Sequence, residues 1–421
     1  MIRSHTLGFP RSGAQREILT ALDRHARGEI DAASLKETAR AVRKNNWALQ
    51  RDAGLDVVTV GDFALHDTVL NHIQTLGCEP KRFGFGEHES NLTRHFAMAR
   101  GRSTQGDSEG RDRALQTARW FDSNLHCVTP EFDATTTFTL EAHRLLSETA
   151  EAQALGHAVK PVLLGPLTFL WLGAQRNYGA DAAANFNSLQ LLDKLLPVYV
   201  QLLSLLTARG IQWIQIEEPI LSLELPTPWS RAFERAYHVL QRAKASLLLA
   251  TYFGPLGSHL NLVCNLPVAG LHIDAVCGGQ ELRAVVDWIP IDMVLSIGII
   301  DGRDIWCSDI DAALAQLRFA QDRHRGPIWI APSCSLQHVP LSLAGAANLE
   351  SAGVGVEMSN LLAGADRKLA ELALLKQILN AGEGGAVAAL NESRRAFAAR
   401  QTSSRGDDPA VLRQIESLRA I

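Results

Sequence analysis

The sequence lacks the short motifs that identify many enzyme classes. It contains no C-x-x-C pair, no Walker phosphate loop, no G-x-S-x-G serine elbow and no H-E-x-x-H zinc motif. Its six cysteines are widely scattered along the chain, which is typical of free thiols in a reducing compartment rather than of a disulfide framework. We therefore expect a cytoplasmic protein with free, mostly buried thiols.

Long apolar runs and an excess of charge of one sign are also missing. No apolar run reaches the roughly 18 residues that a membrane helix needs, and the N-terminus has no apolar signal-peptide segment. The formal net charge of -4 and the pI near 6.4 lack the basic excess of a nucleic-acid-binding domain. We expect neither a membrane nor a nucleic acid as a partner.

The sequence does contain a series of short apolar runs with helical segments between them. Most of the runs are apolar throughout, which indicates a parallel sheet that is covered on both faces. Eight strand candidates lie near residues 4–10, 55–62, 160–166, 211–218, 246–252, 270–276, 293–300 and 327–334. Strand and helix alternating eight times predict an α/β fold of the (β/α)8 TIM-barrel type, with an open doubly wound sheet as the second choice.

Two regions depart from this alternation. Between about 77 and 155 we expect an insertion after the second strand, with a glycine-rich charged loop at 84–113 and a threonine-rich, strand-like stretch at 132–140. The C-terminal stretch is rich in alanine, arginine, serine and aspartate. We therefore predict a barrel over residues 1–380 and a linker-like helical tail over residues 381–421.

The most informative run, 211–219, is an apolar strand that ends in Glu217, Glu218 and Pro219. Successive strand residues face opposite sides, so one carboxylate should point into the barrel mouth and the other away from it. Strand ends of this kind hold the chemistry of (β/α)8 barrels. Two interpretations remain open: one carboxylate orients a polar substrate or a cation, or both carboxylates fix a loop.

Two further groups of residues suggest binding sites. His272, Asp274, Cys334 and His338 lie near predicted strand ends, but their spacing matches no metal motif, and a catalytic zinc needs about three protein ligands. We expect no metal ion in this chain.

The loop after the first strand carries Arg11 and Arg16, close to the start of a helix. A helix start presents free N–H groups and the positive end of its dipole, so anions bind there readily. Two guanidinium groups would strengthen such a site for a carboxylate or a phosphate. Alternatively, both arginines pair only with surface acids.

Seven segments, in one order along the chain, carry a resemblance to a known family. They read H-T-L-G-F-P-R at 5–11, V-G-D-F at 60–63, K-P-V-L-L-G-P at 160–166, Q-I-E-E-P at 215–219, T-Y-F at 251–253, G-L-H-I-D at 270–274 and S-C-S-L at 333–336. The chain resembles the N-terminal half of the cobalamin-independent methionine synthase family. The resemblance runs from Met1 to near Pro409.

This resemblance implies a methyl transfer from 5-methyltetrahydropteroyltriglutamate to homocysteine by two face-to-face (β/α)8 barrels. In such an enzyme the C-terminal barrel holds the catalytic zinc, the homocysteine site and most of the folate site. The N-terminal barrel scaffolds it and helps to bind the polyglutamate tail. The resemblance thus implies no catalytic residue and no bound cofactor in this chain, and two partners: the folate, and a zinc-bearing C-terminal barrel in cis or in trans.

The resemblance also implies a folate-tail site on Arg16, Glu17, Ile18 and Leu19, with a further basic position at Arg119. The family normally has lysine at the last two of these positions. Losing one ammonium removes one anion contact, worth roughly 0.5–1.5 kcal/mol at a partly exposed site. Arg119 keeps its charge and is able to bind a carboxylate with two parallel hydrogen bonds.

The two barrels of the family resemble one another, so the zinc-ligand positions of the C-terminal barrel have similar positions in this chain. These positions test the hypothesis that this chain binds a metal ion. Among the positions here that are similar to the zinc ligands, only Cys334 carries a matching ligand type. Two alternatives to a methyltransferase component remain. One is a stand-alone folate-binding or regulatory protein that lost catalysis, which Leu19 slightly favours. The other is an independent enzyme that uses Glu217, Asp274 and Cys334 without zinc.

Overall fold

The structure is a computed structural model that describes residues 1–102, 113–174, 186–343 and 361–402. The strands are β1 (Arg3–Ser4), β2 (Val58–Val60), β3 (Thr117–Arg119), β4 (His126–Val128), β5 (Val159–Leu164), β6 (Trp213–Glu217), β7 (Ser246–Ala250), β8 (Gly270–Asp274), β9 (Val294–Ile300) and β10 (Ile328–Pro332). The helices are α1 (Glu17–Ala26), α2 (Ala32–Asp52), α3 (Thr68–Thr75), α4 (Asn91–Arg100), α5 (His143–Ala154), α6 (Pro166–Ala174), α7 (Leu192–Ala208), α8 (Thr227–Leu240), α9 (Leu260–Cys264), α10 (Leu282–Trp288), α11 (Ile310–Arg323), α12 (Ala365–Ala381) and α13 (Val387–Thr402).

Eight of these strands form one parallel sheet in the order β1-β10-β9-β8-β7-β6-β5-β2. The first strand lies beside the last one, so the sheet curls round on itself. Its two ends meet through Asp56, whose backbone N–H donates to the Ser4 carbonyl at 3.0 Å and whose carboxylate accepts the Ser4 N–H at 2.7 Å. Each of the eight predicted runs overlaps one of these strands. The (β/α)8 barrel prediction is therefore confirmed, and the open sheet was the wrong alternative.

The strands are buried on both faces, as their apolar composition predicts. Every residue of β5, β8, β9 and β10 is buried. On β6, Trp213, Gln215 and Glu217 alternate with Ile214 and Ile216. The first set faces the barrel lumen and the second packs into the main core under the helices.

The region after β2 differs from the prediction in two places. The helix α4 lies inside the segment predicted as a loop, because Ser90 caps its start by accepting the Thr93 N–H at 3.1 Å. The strand predicted at 132–140 was wrong, since the Asp133 carboxylate bonds the backbone N–H of Thr135 at 2.7 Å and turns the chain there. Instead, β3 and β4 pair as an antiparallel hairpin. Residues 103–112 of the predicted loop lie outside the described part.

The predicted tail contains α13, which packs against α11 and α12. The Arg394 guanidinium binds the Asp311 carboxylate through two bonds of 2.7 and 2.8 Å, and Arg400 donates to the Cys307 carbonyl at 3.0 Å. Residues 403–421 lie outside the described part of the chain. The division at residue 380 stays a prediction.

One stretch of the described residues, Ser188–Ala208, is long and apolar enough to cross a membrane by length and composition alone. Half of it is buried in the protein. It contains α7, whose Leu195, Tyr199 and Leu203 are fully buried in the core around the sheet. Because the core helix of a barrel passes the same test, the stretch is only weak evidence for a membrane span.

Two glycines with similar backbone conformations allow a test of packing where β2 ends. Gly61 has φ +90°, and an added Cβ would lie 2.8 Å from Leu145 Cδ1 and 3.0 Å from the Val162 carbonyl oxygen. Gly54 has φ +83° and no heavy atom within 4 Å of such a Cβ. We expect Gly54→Ala to lower the free energy of unfolding by about 1–2 kcal/mol through backbone strain. Gly61→Ala should carry the same strain and lose about 1–3 kcal/mol more through overpacking. Urea denaturation measures both losses, and equal losses would contradict the prediction.

Candidate functional site

The amino-terminal end of the barrel lumen is closed by aromatic and aliphatic side chains. The rings of Trp213 and Trp329 pack edge to face with their centroids 4.7 Å apart, and Leu248 and Val294 complete this small cluster. The cluster is separate from the larger core between the sheet and the helices. The lumen is therefore a packed interior at this end, as in other barrels of this type.

A polar layer lies above that cluster and is centred on Lys160. The Lys160 ammonium is fully buried and donates to the Thr6 carbonyl at 3.0 Å and to Gln215 Oε1. The Gln215 amide then donates to the Leu7 carbonyl and to Glu217 Oε1, both at 2.9 Å. Burial lowers the pKa of Lys160 to about 7 and raises the pKa of Glu217 to about 7. The two groups thus belong to one hydrogen-bonded chain in which each lost much of its hydration.

Two buried histidines share a hydroxyl in the same layer. His5 Nε2 lies 2.7 Å and His272 Nδ1 lies 2.8 Å from Ser296 Oγ. Burial lowers the pKa of both imidazoles, that of His272 to about 3, so both rings are neutral. A serine hydroxyl donates only one hydrogen bond, so one of the two rings must be the donor to it.

The carboxyl end of the lumen is nearly full as well. Glu217 Oε2 accepts a hydrogen bond from the Tyr252 hydroxyl at 3.1 Å. Beside Glu217 and Asp62 remains a space of about 10 Å³, whose walls include Thr68 and Gln337. A space of this size holds about one water molecule. Among the described residues, this space beside Glu217 is too small for an organic substrate.

Glu218 points away from the lumen, as the strand alternation predicts. It is fully buried, and its carboxylate accepts the backbone N–H groups of Leu167 at 3.1 Å and Thr168 at 2.7 Å, together with the Thr168 hydroxyl at 2.5 Å. These donors belong to the first turn of α6, which has no intrahelical partners for them. Of the two interpretations left open, loop fixation describes the contacts of Glu218, whereas Glu217 lies in the mouth.

Of the four residues considered as metal ligands, His272 and Asp274 form hydrogen bonds to other groups, and His338 packs edge to face against the Phe253 ring. His272 is bonded to Ser296, and the Asp274 carboxylate accepts the backbone N–H groups of Phe253, Val276 and Cys277 at 2.9 to 3.1 Å. Burial raises the pKa of Cys334 well above its usual range, so it is a neutral thiol. Within residues 1–102, 113–174, 186–343 and 361–402, no three His, Cys, Asp or Glu side chains are arranged to hold a metal ion. The residues present do not fit a zinc site.

The predicted folate-tail stretch forms the start of α1. Arg16 is exposed and adopts a left-handed backbone conformation with φ 60°, while the Glu17 carboxylate accepts the Gln15 N–H at 2.9 Å. Ile18 is buried against α2, and Leu19 is 45% exposed. A non-glycine residue at this φ carries strain, which is often found at binding sites.

The other two predicted basic positions lie in different surroundings. Arg119, on β3, donates to the Ser123 carbonyl at 2.6 Å and lies 3.8 Å from the Asp122 carboxylate, so the hairpin partly holds it. Arg11 donates to the Ala64 carbonyl at 3.3 Å, and burial lowers the pKa of its guanidinium. Among the described residues, no hydrogen bond or ion pair joins Arg119 to the start of α1.

The sequence analysis missed the residues at the centre of the polar layer. Lys160, Gln215 and Ser296 interrupt otherwise apolar strands, and this interruption was the available signal. A polar residue inside a run that is buried on both faces needs a partner in the lumen. The sequence did not indicate which residue that partner would be.

The comparison with protein families decides the affiliation of this barrel. A model described as "Cobalamin-independent synthase, N-terminal domain" matches residues 3–325. The chain belongs to this family. A curated relative from Nitrosomonas europaea, named 5-methyltetrahydropteroyltriglutamate--homocysteine methyltransferase, is 43% identical over 415 residues. The match covers 99% of this chain but 52% of the relative, so the chain spans about half of the relative's length.

Solved structures support the fold of this barrel. A putative vitamin-B12 independent methionine synthase from Listeria monocytogenes and a B12-independent methionine synthase from Shewanella sp. W3-18-1 both superpose with a TM-score of 0.56 at 13% identity. Each superposition covers 90% of this chain, together with 98% of the Listeria chain and 99% of the Shewanella chain. A methyltransferase from Methanosarcina mazei superposes with a TM-score of 0.54 at 13% identity. The match covers 90% of this chain and 94% of the methyltransferase chain. At this identity the similarity shows the fold alone.

The burial of Glu218 predicts a specific pH dependence of stability. Burial raises the pKa of Glu218 from 4.5 to about 7, so between these values the folded state binds more protons than the unfolded state. The contribution of Glu218 to stability is then present below pH about 4.5 and is lost as the pH rises through about 7. Relative to Glu218→Gln, the wild type should lose on the order of 1–3 kcal/mol of unfolding free energy between pH 5 and pH 8.

Urea denaturation of both proteins at the two pH values measures this difference. Glu224→Gln, in the exposed loop that follows, is the control for removal of one carboxylate. If the free energy of unfolding of the wild type rises relative to that of Glu218→Gln as the pH rises, the three hydrogen bonds outweigh burial and the prediction is wrong.

Proposed function

We propose that the chain is the N-terminal barrel of a 5-methyltetrahydropteroyltriglutamate–homocysteine methyltransferase in methionine biosynthesis. In this role it scaffolds a zinc-bearing C-terminal barrel and helps to bind the polyglutamate tail of the folate. The observation that carries the proposal is the 43% identity to a curated methyltransferase across 99% of this chain. A cytoplasmic location suits this role.

The contents of the lumen support a scaffold rather than a self-sufficient enzyme. The space beside Glu217 is about 10 Å³, and Asp274 and His272 already have hydrogen-bond partners. These contacts disfavour the alternative of an independent enzyme built on Glu217, Asp274 and Cys334. Chemistry on a folate and homocysteine would then take place on the partner barrel.

The loops at the carboxyl ends of the strands support docking of that partner. Among the described residues, four large apolar side chains are exposed at this end of the barrel: Leu19, Leu223, Val276 and Ile305. They follow β1, β6, β8 and β9 respectively. Exposed apolar side chains that share one face are typical of an interaction surface. We call this set of four residues the mouth rim.

The start of α1 supports the folate-tail site. The exposed Arg16 has no ion pair or side-chain hydrogen bond among the described residues, and it precedes a helix whose N-terminus lacks a side-chain cap. A polyglutamate tail is an anion, which both the guanidinium and the helix N-terminus attract. Leu19, where the family normally has lysine, weakens the site, and this substitution supports the second candidate, a folate-binding or regulatory protein that lost catalysis.

The scaffold role predicts complementation in trans. Mixed with a separately produced zinc-bearing C-terminal barrel of this family, the chain should form a complex and convert homocysteine to methionine, whereas the chain alone should be inactive. A specific interface of this kind buries about 1,000 Å² or more. Sedimentation measures the complex, and methionine formation measures the activity.

Two matched variants locate the interface. Val276→Asp on the mouth rim should weaken the complex at least about tenfold, because a charge would be buried in it. Leu155→Asp carries the same change on an exposed apolar residue at the opposite end of the barrel, after α5, and should leave the complex intact. Tight folate binding without any complex would favour the regulatory candidate instead.

The tail site predicts a difference between folates with and without a long tail. Arg16→Ala should weaken binding of 5-methyltetrahydropteroyltriglutamate about 5- to 10-fold and that of the monoglutamate much less, since one charge-assisted bond is lost. Leu19→Lys should strengthen triglutamate binding. Isothermal titration of the chain measures each affinity. Arg231→Ala, an exposed arginine on α8, is the control, and a loss equal to that of Arg16→Ala would refute the site.

A further inference from the structure

A second cavity lies outside the lumen, on the flank of the barrel. It has a volume of about 320 Å³ and lies between α2, α3, α5 and the start of α4. We propose that this cavity, which we call the flank cleft, binds a small organic anion with an apolar body and a hydrogen-bond donor. Its defining residues are Lys36, Arg40, Arg43, Phe63, His95 and Arg144. None of the five proposed folate-tail residues lines it.

The size and one wall of the flank cleft suit an apolar body. Phe63, Leu65 and Leu92, with Ala39 and Ala64, form an apolar side that continues into the cluster beneath α1 and α2. A volume of about 320 Å³ lies at the lower end of the range for ligand pockets. The ligand would therefore be a compact molecule, for instance one with a single aromatic ring.

The charges around the flank cleft favour an anion. Four cations line it (Lys36, Arg40, Arg43 and Arg144) against two carboxylates (Glu148 and Glu151), an excess of two positive charges. The carboxylates are already bound, since Glu151 lies 2.7 Å from Arg43 and Glu148 lies 3.0 Å from Arg144. Lys36 is exposed and has no ion pair within the described ranges. A ligand carboxylate or phosphate would find an unpaired ammonium beside a low-dielectric wall.

A hydrogen-bond relay gives the flank cleft a specific polar requirement. The Gln74 amide nitrogen donates to Glu79 Oε1 at 3.1 Å and to the Asn91 carbonyl at 2.9 Å, which fixes the orientation of the amide. Gln74 Oε1 must then accept from His95 Nδ1 at 2.9 Å, so Nδ1 carries the hydrogen. Burial lowers the pKa of His95 to about 3, so the ring is neutral and Nε2 is an acceptor.

That acceptor has no partner. His95 Nε2 and Arg43 Nε, which belong to two residues of the flank cleft, are buried without a hydrogen bond in the described part of the chain. An unsatisfied buried polar atom costs about 1–3 kcal/mol, so a ligand that satisfies it gains affinity. His95 and Arg43 both line the cleft, so a ligand hydroxyl or N–H would reach Nε2 after a side-chain rotation of the kind common on binding.

Three probes separate these requirements. 4-Hydroxybenzoate carries the anion, the ring and the donor, benzoate lacks the donor, and phenol lacks the anion. We expect 4-hydroxybenzoate to bind saturably and at least about fivefold more tightly than either of the others, because each omission removes one interaction. Comparing the dissociation constants of phenyl phosphate and benzoate shows whether the cleft prefers a phosphate or a carboxylate. Amide chemical-shift titration of the full chain measures each dissociation constant.

Matched variants on one helix locate the binding. Lys36→Glu should weaken the binding of 4-hydroxybenzoate at least about tenfold. Lys44→Glu makes the same charge change on α2 but does not line the cleft. Its effect should be several-fold smaller than that of Lys36→Glu, since the exposed Lys44 is not a lining residue and salt screens charges beyond about 8 Å. Arg16→Ala should leave the affinity unchanged, which separates this site from the folate-tail site.

Absence of saturable binding by all the probes at millimolar concentrations would overturn the proposal. Equal losses in Lys36→Glu and Lys44→Glu would also overturn it, since they indicate attraction to the overall charge. Competition by the folate triglutamate for 4-hydroxybenzoate would show that the flank cleft is part of the folate site and not a separate one.

Discussion

The buried ammonium of Lys160 is the interaction on which the barrel interior depends. A charged group inside a ring of strands is tolerated only if it is fully hydrogen-bonded. Lys160 meets this condition by binding the Thr6 carbonyl and Gln215, and Gln215 binds the Leu7 carbonyl. These bonds hold the segment after β1 against β5 and β6. Because β1 contributes only a two-residue ladder with β10, this polar layer helps to keep the first strand in the ring.

Because the described part of the lumen is filled, the proposed recognition surfaces lie on the outside of the barrel. The aromatic cluster of Trp213 and Trp329 closes one end, and Glu217 with Tyr252 occupies the other. The remaining features that suit binding lie on loops and helices around the ring: the start of α1, the mouth rim and the flank cleft. Barrels of this type commonly carry function on such loops, and here the packed interior supplies rigidity.

Two neighbouring glutamates at the end of β6 have different structural roles. Glu218 ties β6 to the first turn of α6, and Gly165 is needed there because an added Cβ would lie 2.1 Å from the Glu218 carboxyl carbon. Glu217 instead joins the polar layer. Both carboxyls have a raised pKa, yet Glu218 is fully buried and the space beside Glu217 is only about 10 Å³ within the described part of the chain. A perturbed pKa in this barrel thus reflects burial, which is also its common cause in structural networks.

Local pattern in the sequence was sufficient for the strands and for the opposite directions of Glu217 and Glu218. Both follow from burial on two faces and from the period of two along a strand. Local chemistry that was overlooked accounts for the errors: Ser90 caps α4, and Asp133 turns the chain where a strand was predicted.

Only the tertiary structure decided which groups meet. The partners of Lys160 lie 154 and 55 residues away along the chain, and the flank cleft draws its walls from four helices. Residues that are distant in sequence come together through packing of the whole barrel. Local sequence pattern does not indicate which of them will be in contact. The sequence by itself therefore determined the ring of strands and its family, whereas the fold decided that the ring is full and that its free surfaces lie outside.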